Sequence, residues 1–323
     1  MQKGLWSLQL LAVLLLPTVL GLAACSSPSE PSGTHVQSEE SLILPKQEML
    51  DRYDWWDNQH WAWYKRNVPF FDSPDATINA TYYYRWEVMT KHLTYGDPET
   101  GYTFTEFIDR PFWSGTYGPI SCPLGHQFYE VRWLKDFRVI EDFAHYWFDT
   151  PGAEPRSYSN WYGNSMWAVH EVWQDEAFVE GVYPHMQQQY QGWIDERYDP
   201  DHEMFVWDGM HDGMETNINS RQTENTFSGG DGYRPTLNSY LYADLRALSN
   251  AAALLGDSAQ ARTYNRKAAA LKERVQEELW DPDRQFFFHQ WGEDQQNGIE
   301  AKALTYETGQ YAGSPHGREL MGY

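Results

Sequence analysis

The chain has 323 residues, with 46 acidic against 24 basic side chains, a formal charge of -22 and 16% aromatics. That polyanionic balance works against nucleic acid and anionic membrane surfaces, and no basic stretch offsets it. The length can bury a substantial core, and 41% hydrophobic content excludes wholesale disorder.

At the N-terminus, Lys3 is the only charge before an apolar run, Leu5 to Leu22, that ends in Ala23-Ala24-Cys25. This is the layout of a secretory signal. Pro17 interrupts the run and makes it marginal for spanning a membrane. The Leu22-Ala23-Ala24-Cys25 ending resembles a bacterial lipoprotein lipobox, which implies cleavage before Cys25 and acylation of its thiol. Residues 1–24 therefore read as a lipoprotein signal, 25–45 as a flexible tether rich in Ser, Pro, Glu and Gly, and 46–323 as the folded domain. Cys122 is the one other cysteine, so no intrachain disulfide is expected, and it reads as a buried apolar packer.

Helical periodicity is weak over about 79–94, 126–148, 164–180 and 185–197, where aromatics occur nearly all round. It is strong over 236–255, where Leu237, Leu241, Leu245, Leu248, Ala252 and Leu255 recur at i+3 or i+4 before Gly256. Asp257 or Ser258 can cap a second helix with the stripe Tyr264, Ala268, Leu271, Val275 and Leu279. Two helices joined so tightly form an antiparallel hairpin.

One segment echoes another. Tyr198-Asp-Pro-Asp-His-Glu-Met-Phe-Val-Trp207 returns as Trp280-Asp-Pro-Asp-Arg-Gln-Phe-Phe-Phe-His289, with a looser copy from Tyr95 through Asp97-Pro98, Gly101 and Phe104. Each copy reads as a helix ending in an aromatic, an Asp-Pro turn and a short aromatic strand. Repeats of about forty residues built from helix pairs suggest an α/α toroid with short strands at one rim.

Chemistry is expected where polar residues gather without period. Trp207 to Arg221 holds Asp208, Asp212, Glu215, Asn217 and Arg221, with Gly209 and Gly213 permitting tight backbone, and the later copy lacks this cluster. Asp208 alone reads better as part of a solvated acidic loop. Glu215, near Met214 and many aromatics, is the candidate general acid, because apolar neighbours let a carboxyl keep its proton near neutral pH. Asp212 is the alternative acid.

A second cluster holds Trp113, His126, Glu130, Arg132, Trp133 and Asp136. On one continuous helix, Glu130 and Trp133 share a face and Arg132 and Asp136 the adjacent one. That set can hold a polyhydroxyl ligand or form a buried ion pair with core packing. A third region, Gly229 to Pro235 leading into Asn238, places Arg234 at the start of the best helix. No phosphate-binding Gly loop, no Gly-x-Ser-x-Gly elbow and no His-Glu-x-x-His helix is found. Neither a metal nor a cofactor is expected.

Gly213-Met214-Glu215-Thr216-Asn217 with Arg221, Phe128-Tyr129-Glu130 with Trp133 and Asp136, and Arg234 through Asn238 to Tyr240 together resemble segments of the six-hairpin (α/α)6 glycosidases, the group of trehalase, α-glucosidase and mannosylglycerate hydrolase. The resemblance covers roughly residues 80–323. It implies a mainly α, (α/α)6 toroid that hydrolyses glycosidic bonds with inversion, with Glu215, in place of the usual Asp, as general acid. Sugar contacts are expected from Trp113, Glu130, Arg132, Trp133, Asp136, Trp207, Asn217, Arg221, Arg234 and Asn238. The base comes from a late hairpin in that group and has no match before Tyr323. Fewer helices are recognisable than six hairpins require, so the toroid is expected to be incomplete at its C-terminus. The expected partner is a carbohydrate, at the bacterial envelope, with the membrane reached only through the lipid anchor. A polysaccharide lyase and a non-catalytic glycan-binding lipoprotein are the alternatives.

Overall fold

The computed structural model describes residues 61–215, 227, 231–283 and 285–291, all within one unit, Ile43–Tyr323. The signal, Cys25, the tether, Asn217, Arg221 and the C-terminal residues 292–323 lie outside the described residues.

The first helices are α1 (Trp61–Asn67) and α2 (Ala76–His92), followed by the strand pair β1 (Leu93–Tyr95) and β2 (Tyr102–Phe104). The Asp75 carboxylate starts α2 by accepting from the backbone N–H groups of Thr77 and Ile78. Next come α3 (Leu124–Val131), α4 (Phe137–Asp149), α5 (Tyr162–Trp173) and α6 (Glu176–Arg197). The strands β3 (Tyr198–Asp199), β4 (Met204–Trp207) and β5 (Gly232–Tyr233) then lead into α7 (Pro235–Leu254) and α8 (Ser258–Leu279). The last described elements are β6 (Trp280–Asp281), β7 (Phe286–Phe287) and β8 (Gln290–Trp291).

Helices α3, α5 and α7 neighbour one another as one layer, and α4, α6 and α8 lie behind them. This alternation is the helical-hairpin plan of an α/α toroid. The α7–α8 hairpin follows its sequence pattern: Leu237, Leu241, Leu245 and Leu248 are buried on α7, and Tyr264, Ala268, Leu271, Val275 and Leu279 on α8. Each buried Leu or Val among them contributes roughly 1.5–3 kcal/mol when fully removed from water. Gly256, at φ 84°, ends the first helix, and Asp257 caps the second by accepting from the Gln260 N–H at 2.9 Å. Among the described residues, no helix is long and apolar enough to cross a membrane.

Two helix boundaries differ from the sequence expectation. The run expected over 126–148 is broken into α3 and α4, because the chain turns at Arg132 to bury Leu134 while the Lys135 N–H donates to the Asn67 carbonyl. The helices expected over 164–180 and 185–197 are instead divided at Gln174, whose φ of 54° is left-handed, and Asp175, which caps α6. Helix α6 then runs on through Pro184. An internal proline removes one helical hydrogen bond, but the buried row Phe178, Val179, Val182, Met186, Tyr190 and Trp193 holds the helix across it.

The three echoed segments adopt one design. Each follows a helix, and the aromatic ending the helix is itself the first strand, so the turn closes an antiparallel pair rather than leading into a lone strand. Asp97, Asp199 and Asp281 each accept a hydrogen bond from the N–H two residues on, at 2.9 Å in every copy. Four residues after each Asp the backbone is left-handed, at Gly101 (φ 71°), Glu203 (φ 53°) and Gln285 (φ 54°). The pair of the second turn joins β5 and β8 in an antiparallel sheet of order β3-β4-β5-β8, while β6 and β7 of the third turn pair by themselves.

Candidate active site

The segment after β4 folds as two interlocked turns. The Gly213 N–H donates to the Met210 carbonyl and the Met214 N–H to the Gly209 carbonyl. Asp208 receives the His211 N–H at 3.0 Å and contacts His211 Nδ1 at 2.7 Å, so it orders this loop. Gly213 has φ 69°, and a Cβ there would lie 3.0 Å from Cys122 Sγ, so both conformation and space call for glycine.

These turns give neighbouring carboxylates opposite environments. Asp212 points inward and accepts from Arg234 Nε and Thr236 Oγ1, both at 2.5 Å, with Asp212 and Arg234 each at most 3% exposed. Removing the Asp212 charge leaves a buried guanidinium without its counter-ion, so this group is a brace for the start of α7 rather than an available acid. Glu215 is solvent-exposed rather than buried, although aromatic side chains stand near it as the sequence suggested.

Glu215 lines a cavity of about 740 Å³ with Glu106, Glu154, Trp113, Phe112, Tyr158 and His211. Phe112 and Trp113 are 95% and 50% exposed and meet edge to face at 4.9 Å. Exposed rings beside carboxylates suit the apolar faces and hydroxyl edges of a sugar. Burial raises the Glu106 carboxyl above the usual range, and the Glu215 charge adds to that shift. Cys122 also lines this cavity instead of packing only in the core. Burial pushes its thiol up to about 12, reinforced by Glu106, Asp212 and Glu215, so it is protonated and a poor nucleophile.

Glu106 also borders a smaller cavity of about 240 Å³, with His126, Arg85 and Glu130. Glu130 is ion-paired with Arg85 there. The rest of the second predicted cluster disperses because the helix it was expected to share ends at Val131. Arg132 lies over the rings of Tyr129 and Trp133, Trp133 is half exposed, and Asp136 stands before α4. None of the three lines either cavity.

Two further predicted contacts are in the core. Asn238 is fully buried, its amide donating to the Phe205 and Arg234 carbonyls and accepting from the Phe205 N–H, which pins β4 to α7. Trp207 is buried against Trp193 at 5.1 Å, with the Arg197 guanidinium 4.6 Å from its ring. Arg234, Asn238 and Trp207 therefore shape the rim without facing the cavity.

Glu106 and Glu154 are the cavity carboxylates that sequence reasoning missed, and only Glu106 had a signal. It stands nine positions after Asp97, as Asp208 stands nine after Asp199, so the aligned turns carried the signal. Among the described residues one His–Asp–His group has metal-ligand spacing, and none of its members lines the larger cavity.

Residues 116–323 match the model of the mannosylglycerate hydrolase MGH1-like glycoside hydrolase domain. A solved structure described as a sialidase aligns with a TM-score of 0.66 and 29% identity over 75% of this chain, which spans only 21% of that protein. A GH78 family rhamnosidase of Bacillus sp. GL1 aligns with a TM-score of 0.44 and 16% identity, covering 74% of this chain and 24% of that one. No curated protein sequence matches.

Proposed function

The chain belongs to the mannosylglycerate hydrolase MGH1-like glycoside hydrolase family, and from that premise we propose that it hydrolyses glycosidic bonds of an uncharged oligo- or polysaccharide at the cavity bounded by Glu215 and Glu106. The observation that carries this reading is the shared site: Glu106, Glu154 and Glu215 with exposed Phe112 and Trp113 around about 740 Å³. Rings stack on the sugar, and a carboxyl group delivers a proton to the leaving oxygen. Glu215 is assigned that role, and inversion follows if a second carboxylate activates water on the opposite face. Three glutamates, Glu106, Glu154 and Glu215, line the cavity and disfavour an anionic sugar.

The leaving group separates an acid from a binder. Glu215→Gln is expected to lower turnover of natural glycosides at least about a thousandfold. Dinitrophenyl glycosides, whose leaving group needs no proton, should lose far less. Equal loss on both substrates sinks the acid assignment. A gain in ultraviolet absorbance with new reducing ends selects a lyase instead, and binding without turnover selects a glycan-binding module. Export with a lipid anchor on Cys25 rests on the Leu22-Ala23-Ala24-Cys25 run. Labelling with a fatty-acid analogue tests it, and an unlabelled mature chain rejects it.

A further inference from the structure

Away from the cavity, at the crossing of α4 and α6, three side chains converge that glycoside hydrolysis does not use. His145 and Asp149 are one turn apart on α4, so they share a face. His185 comes from α6, in the residue after Pro184. His145 Nδ1 lies 3.1 Å from one Asp149 oxygen, and His185 Nε2 lies 3.2 Å from the other. One ligand atom from each residue lies within 4.8 Å of the others.

We propose that His145, Asp149 and His185 bind a divalent transition-metal cation, with zinc as the best-fitting ion, and that this ion staples α4 to α6. Bonds of about 2.1 Å in tetrahedral directions separate neighbouring ligand atoms by about 3.4 Å; the His–Asp149 spacings of 3.1 and 3.2 Å, to different oxygens, and the 4.8 Å limit on all three ligand atoms leave a small side-chain adjustment to close the site. Two imidazoles and one carboxylate suit zinc and its neighbours better than calcium or magnesium, which prefer oxygen cages. Three protein ligands leave the fourth position to water, and a cavity of about 340 Å³ lined by His145 and Asp149 adjoins the site. Asp149 is 59% exposed, so an ion can enter from solvent.

The neighbours orient the ligands. The Phe148 ring stacks on His185 at 5.0 Å with an interplanar angle of 17°, which fixes the imidazole plane. Because ligands on two helices are joined, the ion is expected to act on stability rather than on the sugar chemistry.

The test uses the purified full chain after chelator treatment, with zinc chloride in calorimetry and cobalt(II) in visible absorption. The expected result is one ion per chain, a raised melting temperature with zinc, and the intense visible bands of four-coordinate cobalt. His185→Ala and His145→Ala should each weaken zinc binding at least about tenfold. Asp149→Asn, at an exposed position, should do the same while the apo protein keeps its melting temperature. Absence of stoichiometric zinc binding by the unaltered chain leaves only a hydrogen-bonded His–Asp–His contact and overturns the proposal. So does wild-type affinity in all three variants.

Discussion

The turns after α6 and α8 are built alike and end differently. Both place an Asp-Pro pair after a helix, close an antiparallel strand pair and use a left-handed residue four positions after the Asp. Nine positions after that Asp, the first copy delivers Asp208 and then the loop carrying Asp212 and Glu215, whereas the second delivers buried Gln290 and the pairing strand β8. The copy after α2 belongs with the first, because its ninth position is Glu106 at the cavity. The turn is therefore a scaffold part, and the acidic chemistry was added where the returning strand leaves it.

The largest expected effect attacks what distinguishes the copy after α6, its buried brace. Asp212→Ala should cost about 3–5 kcal/mol in urea unfolding, because it strands the Arg234 guanidinium in the interior. A cost below about 1 kcal/mol would mean that this loop is held no differently from its plain sibling.

Asp244 sharpens the same contrast, since it is a buried carboxyl without an ion pair among the described residues. It sits on α7 and accepts from the Asn164 N–H at 2.8 Å, tying α5 to α7. Burial pushes its pKa up to about 7, against about 3.9 for an unfolded Asp. Between those values the folded chain keeps a proton that the unfolded chain has released. The Asp244 contribution to stability therefore falls as pH rises from about 4 to about 7, by at most about 1.4 kcal/mol per unit, and levels off above. Asp244→Asn keeps an oxygen for the α5 backbone and carries no charge. Its stability relative to the unaltered chain should improve from about pH 4 to about pH 7 and then level off, in parallel urea titrations. A difference that does not change with pH rejects the assignment.

What the sequence disclosed follows from the range of each interaction. The α7–α8 hairpin was legible because apolar period, Gly256 and Asp257 are local signals that agree. The Asp-Pro turns were legible for the same reason, although the Glu106 position that their alignment marks was missed. The break at Arg132 was not legible, since it depends on Lys135 meeting the Asn67 carbonyl of a distant helix. That one break dispersed Arg132, Trp133 and Asp136. Likewise nothing near Asp212 announces that Arg234 and Thr236 will claim it. Residue chemistry located the polar loop, and long-range packing decided which of its carboxylates reaches solvent.

The smallest expected effect tests whether the three turns are one part. A non-glycine residue in the left-handed region costs roughly 1 kcal/mol relative to glycine. Glu203 and Gln285 bear that cost, and Gly101 does not. Glu203→Gly and Gln285→Gly should therefore each raise stability by up to about 1 kcal/mol, less the added freedom of the unfolded chain. Glu203 should gain less than Gln285, because its side chain also receives a hydrogen bond from Arg274 Nε at 3.0 Å. Gly101→Ala should be destabilising for two reasons, the left-handed φ and a Cβ driven into the Asp142 carboxylate, which receives the Tyr102 N–H. If glycine at 203 and 285 changes stability in opposite directions, the turns share a sequence pattern without sharing an energetic design. The different loops beyond them would then reflect different supports as well as different chemistry.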